Sequence, residues 1–185
     1  MTDILPLKTA GIITGTFLLL LHIPAFLWKD NCHSWLQKFP RSKMWGIILL
    51  AAATLWTFLL VIKMDLGEFA RLRSPIAGFV LLAALLTWRF LDEFLAVRSL
   101  GILALLAAQP ILDACFLQAP LWRLLLVILA YIWIVAGLLW VGMPYLLRDQ
   151  TAWVSASSFR WNFAVGLGIA SGILILACAI FAAAG

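Results

Sequence analysis

The stretch TWRFLDEFLAVRSLG, Thr87 to Gly101, sets Arg89, Asp92, Glu93 and Arg98 among Phe, Leu, Ala and Val. A long apolar run precedes it and another follows it. Whether these charges end a helix at a membrane surface or sit inside a membrane decides how the chain is read.

The rest of the sequence fixes the solvent first. The chain is 65% hydrophobic and 11% charged, with 10 Trp and 12 Phe in 185 residues. Soluble domains hold roughly 45–50% apolar and about 25% charged residues. No soluble fold of this length hides so much apolar surface, so the chain reads as an integral membrane protein. The net charge of +5 is not a nucleic-acid footprint. Lys and Arg are scattered through short polar intervals, as topology signals are. No basic n-region precedes the first apolar run and no A-x-A site follows it, so the reading is a retained span rather than a leader.

A spanning helix needs about 20 mostly apolar residues. Six segments qualify: residues 9–28, 44–62, 75–97, 99–116, 121–147 and 161–184. The expected fold is an all-α polytopic bundle of six transmembrane helices in a single domain. Five remain if the third and fourth segments are misjudged. Pro75 suits a first helical turn, and Pro110 should bend the fourth segment. Trp28, Trp45, Trp88, Trp122 and Trp161 fall at predicted helix ends, the headgroup level that indoles favour. Trp56, Trp133 and Trp140 fall deeper, as packing residues. The intervals between spans read as connectors. The first, third and fifth hold eight Lys and Arg against five on the other side. The positive-inside rule then places both termini away from the cytoplasm, in a membrane of the bacterial inner type.

Between Leu85 and Arg98 there is no Gly or Pro, so the third helix is expected to continue to Val97 and turn at Ser99. On such a helix Arg89, Asp92, Glu93 and Ala96 share a face. Arg89 then reaches Asp92 at i+3 and Glu93 at i+4, while Arg98 points away and snorkels. Two readings stay open. In one, the charges pair at the interface. In the other, they face the bundle interior and hold an ion, a lipid headgroup or a neighbouring subunit, because ionisable groups inside a membrane mark function. A second polar group, Gln109, Asp113 and Gln118, lies near the fourth-to-fifth connection. Asp113 is expected to pair with Arg123, or to serve a proton or cation path.

Chemistry-bearing motifs are absent. Cys32, Cys115 and Cys178 form no C-x-x-C and no disulfide framework. No Ser-His-Asp set, phosphate-cradling Gly loop or H-E-x-x-H occurs, so nothing supports an enzyme, a catalytic residue or a metal site. No cofactor is predicted. A single haem ligand from His22, shared with a partner chain, is the remote exception. Two spans carry packing signals: Gly11 and Gly15 in the first, and Gly168 and Gly172 in the last. Small residues four apart open a groove for close helix approach. The expected partners are the bilayer and other membrane subunits. The expected function is a non-enzymatic structural or accessory subunit of a larger membrane assembly. The alternative is a small transporter or channel using Arg89, Asp92, Glu93 and Asp113.

Overall fold

The computed structural model describes residues 5–90 and 93–181. Among them are the α-helices α1 (Leu7–Leu27), α2 (Lys29–Lys38), α3 (Lys43–Lys63), α4 (Arg73–Phe90), α5 (Leu95–Cys115), α6 (Arg123–Gly142), α7 (Tyr145–Ser155) and α8 (Ser158–Phe181). Short 3₁₀ helices, Phe39–Arg41 and Gly67–Leu72, lead into α3 and α4. Six helices are long and apolar enough to cross a membrane: α1, α3, α4 with its preceding 3₁₀ turn, α5, α6 and α8. An α-helix meets every backbone hydrogen bond within its own segment, which hydrocarbon demands of a spanning chain. The starts follow local chemistry. The Ser42 side chain accepts from the Trp45 amide and caps α3, and Pro144 holds the N-cap position of α7.

The structure departs from the sequence expectations at three places. The helix expected over 75–97 ends at Phe90, and α5 begins at Leu95 rather than Ser99. The turn needs no Gly, because Phe94 itself takes the left-handed conformation at φ 59°. That conformation is disfavoured for an L-residue by roughly 1–2 kcal/mol. The burial of its neighbours offsets it: Ala96 and Val97 join Phe39 and Leu147 in a core cluster against which Phe94 packs. The helix expected over 121–147 ends at Gly142, and α7 follows. Finally, two stretches read as connectors are helices. α2 and α7 are amphipathic, and they touch each other.

The spans pair through glycine. Gly15 and Gly172 face one another across the α1–α8 seam. A Cβ on either would stand 3.0 or 3.2 Å from the other's carbonyl oxygen. Gly11 packs on Ala179, and Gly168 lies under the His22 ring. Both Gly-x-x-x-Gly grooves are thus filled within the chain. A second crossing joins α5 and α6 at Gly101 and Gly137, where a Cβ on each would lie 2.8 Å from the other's carbonyl oxygen. α3 approaches the start of α5 closely at Gly46, and Ser99 donates to the Gly46 carbonyl at 3.5 Å.

One core cluster lies among α1, α5, α6 and α8, built from residues including Leu18, Ile111, Leu126 and Ile175. The other lies at the opposite end, beneath α2 and α7. That end is tied together by polar contacts. Lys29 Nζ donates to Ser158 Oγ at 2.9 Å, and Trp161 Nε1 donates to the Ala25 carbonyl at 3.2 Å. Trp140 sits near the end of α6, not deep in the span, and its Nε1 donates to Gln150 Oε1 of α7 at 3.2 Å. α4 stands apart. It packs chiefly on α3, and none of its residues is buried.

Candidate functional site

The chemistry of this chain has to be sought among its few polar side chains. Arg89 lies in the last turn of α4 and is exposed. Its guanidinium carbon stands 5.8 Å from the Phe90 ring centroid. Glu93 is exposed in the turn that follows. Because Glu93 lies in the turn between α4 and α5, the expected i+4 spacing from Arg89 to Glu93 does not arise on one helix. Asp92 lies outside the described residues. Arg98 belongs to the first turn of α5. It is half-buried, and its Nε is enclosed without a hydrogen-bond partner among the described residues.

Asp113 does not join this group. It lies at the other end of α5, about 22 Å along the helix from Arg98 at about 1.5 Å per residue, and it is exposed. Arg123 serves the backbone there, donating to the Cys115 carbonyl at 3.3 Å and satisfying an orphan acceptor at the end of α5. Between these ends the buried side chains are almost all apolar. Thr14, Ser99 and Thr151 are the buried polar residues among those described.

What the structure does bring together is a crevice between α3, α4 and the start of α5. Lys43, Ile47, Trp88, Arg89 and Leu95 line a cavity of about 270 Å³ at its mouth. Ile47 and Trp88 also belong to a longer groove of about 630 Å³. This groove runs down α3 through Leu50, Ala51, Thr54, Leu55 and Phe58, and along α4 through Leu81, Ala84 and Leu85. The Thr54 hydroxyl donates to the Leu50 carbonyl at 2.7 Å. Its polarity is therefore spent on its own helix, and the groove wall is effectively apolar. Two cationic side chains thus stand at the opening of an apolar channel. Sequence reasoning found Arg89 but not Lys43 as its companion. The two are distant in sequence, and only the α3–α4 packing joins them.

The remaining candidates make local contacts. His22 Nδ1 is 2.8 Å from the Leu18 carbonyl, and its ring covers Gly168. His33 sits on α2 with its ring edge-on to Trp161, centroids 6.0 Å apart. Cys32, Cys115 and Cys178 are unpaired, with Cys115 buried. Among the described residues no three His, Cys, Asp or Glu side chains gather as metal ligands would. Compared with family models, curated proteins and solved structures, the chain matches none of them.

Proposed function

We propose that this chain is a non-enzymatic structural or accessory subunit of a larger membrane assembly. The observation that carries the reading is α4, a full-length span with nothing buried in this chain, whereas every other span buries part of its surface. Its apolar window is also the least hydropathic of the six. Ser74 and Gly78, four apart and both exposed, form a small-x-x-x-small pair. Among the described residues, no atom beyond its own helix turn would meet a Cβ added at Gly78 within 4 Å. Where lipid tails are as apolar as Leu, helices associate by close van der Waals packing, and small residues permit it. The Gly-x-x-x-Gly grooves of α1 and α8 are occupied within the chain, whereas the small faces at Ser74 and Gly78 of α4 and at Gly166 and Ala170 of α8 are open.

The basic end fits the same picture. The end that carries α2 and α7 holds Lys29, Lys38, Arg41, Lys43, Arg89, Arg98, Arg148 and Arg160. The positive-inside rule assigns this end to the cytoplasm and puts both termini on the far side, in a membrane of the bacterial inner type. The transporter or channel reading draws on the cavity at Lys43 and Arg89. It is weakened by the distance to Asp113 and by the apolar interior between them.

Native mass spectrometry after gentle extraction from the native membrane tests the proposal. Co-migrating subunits that cross-link to α4 are the expected result. A lone monomer or homodimer would overturn it and direct attention to ion flux through Arg89, Glu93 and Asp113 variants.

A further inference from the structure

We propose that the outward face of α6 is a contact with a second copy of this chain, closed by a hydrogen bond between the two Tyr131 hydroxyls. α6 turns Leu126, Ala130 and Gly137 inward, where it packs on α5. On its opposite side Leu124, Ile128, Tyr131, Val135, Leu138 and Gly142 are exposed. At about 100° per residue these positions fall within about 80° of one another. They form two sets seven residues apart, the repeat by which helices interlock as knobs into holes. An apolar stripe of this kind suits lipid as well as protein, so the stripe alone names no occupant.

Tyr131 identifies one. At about 1.5 Å per residue it lies about 12 Å along α6 from Arg123 and about 16 Å from Gly142. Those lengths place it close to the middle of a hydrocarbon core of about 30 Å. Tyrosine ordinarily belongs at the membrane–water interface. The chain's second tyrosine, Tyr145, stands just beyond the end of α6 and donates to Met143 Sδ at 3.3 Å. Tyr131 is 57% exposed, and among the described residues its hydroxyl has no hydrogen-bond partner. Thr54 and Thr57 meet the same need by donating to their own helix, at the Leu50 and Ala53 carbonyls. A phenol hydroxyl sits at the tip of a rigid ring and cannot fold back in that way. Lipid tails offer it no acceptor. A second copy does, because a hydroxyl both donates and accepts, and two identical phenols satisfy one another. A two-fold axis along the bilayer normal keeps both copies in one orientation and brings each residue of the stripe level with its counterpart. α4 packs chiefly on α3 and takes no part in this contact.

The test uses the full chain in phosphatidylcholine vesicles. Self-association is read by energy transfer between donor- and acceptor-labelled copies over a protein-to-lipid dilution series. Wild type is expected to form a dimer that dissociates on dilution as a two-body equilibrium. Tyr131→Phe keeps the ring and removes the hydroxyl. Its dimer should be weaker by roughly three- to thirty-fold, the range for a hydrogen bond between membrane helices. Val135→Trp disturbs the interlock at an exposed position, where no core packing is at risk, and should weaken the dimer at least as much. Leu82→Trp, also exposed but on α4, should leave it unchanged. In native membranes, oxidation of Val135→Cys should trap two copies of the chain above the background from the three natural cysteines. A monomeric wild type would overturn the proposal. So would a Tyr131→Phe dimer as tight as wild type, an equal loss in Leu82→Trp, or trapping of Val135→Cys to a different protein. A dimer lacking other subunits would uphold this contact while overturning the accessory role, and other subunits on α4 with no second copy at α6 would do the reverse.

Discussion

The α1–α8 seam and the α3–α4 contact are both pairs of membrane-spanning helices, yet they are built by opposite rules. At the seam, Gly15 and Gly172 bring two backbones together until each carbonyl meets the other glycine. Trp161 and Lys29 then tie off the end with hydrogen bonds. Along α3 and α4 large side chains hold the helices apart, and a groove stays open between them. In hydrocarbon there is no hydrophobic gain from closing that groove, because lipid fills it as well as Leu does. Close packing must be written with small residues; where they are missing, the space goes to lipid. The seam is therefore a closely packed part of the molecule, and α4 is the span with none of its apolar window buried.

That contrast can be broken by substitution, most severely at the α5–α6 crossing, which follows the same rule as the seam. Gly101→Leu would drive a side chain into the Gly137 carbonyl. Destabilisation of about 3 kcal/mol or more is expected, the upper end for overpacking, read as loss of the monodisperse peak and of thermal stability in detergent. Gly168→Ala should cost about 1–3 kcal/mol, because the new Cβ collides with the His22 ring. Adding His22→Ala should recover part of this, and a double-mutant cycle would give a coupling of at least about 0.5 kcal/mol. Additive effects would mean that the ring is not what fills the site. Trp161→Phe removes the hydrogen bond to the Ala25 carbonyl and should destabilise by about 1 kcal/mol in the same unfolding assay. On α4 the effect should nearly vanish. Gly78→Leu should shift fold stability by no more than about 0.5 kcal/mol, while co-purification of any subunit that docks on α4 is lost. A Gly78→Leu protein as unstable as Gly101→Leu would erase the distinction between the two regions.

The fold was legible where hydropathy alone decides. Six runs of apolar residues gave six spans, and the glycines at 11, 15, 168 and 172 announced close packing because their spacing repeats within one helix. The crossing at Gly101 and Gly137 was hidden for the converse reason. Each glycine is single on its own helix, and only the pairing of α5 with α6 gives it meaning. Gly101 instead looked like a turn signal. The real turn was missed because a Phe occupies it: nothing local in FLDEFLAV marks Phe94 as left-handed, and the burial of Val97 that compels it comes from Phe39 and Leu147, far along the chain. α2 and α7 were lost among connectors, since their polar faces dominated the reading and their apolar faces are short. Of the candidate site, Arg89 was visible as one of four charges, with Asp92, Glu93 and Arg98, set between two apolar runs. Its pairing with Lys43 across the mouth of a groove was not, and Asp113 was grouped with it in function although a span's length lies between them.

The α1–α8 seam also imposes an order on synthesis. Its two halves leave the ribosome far apart in time: at about 5–20 residues per second, roughly eight to thirty seconds separate Leu27 from Phe181. For that interval α1 sits in the bilayer with Gly11 and Gly15 facing lipid or a temporary companion. Whatever covers Gly11 and Gly15 during translation must leave that face when α8 arrives.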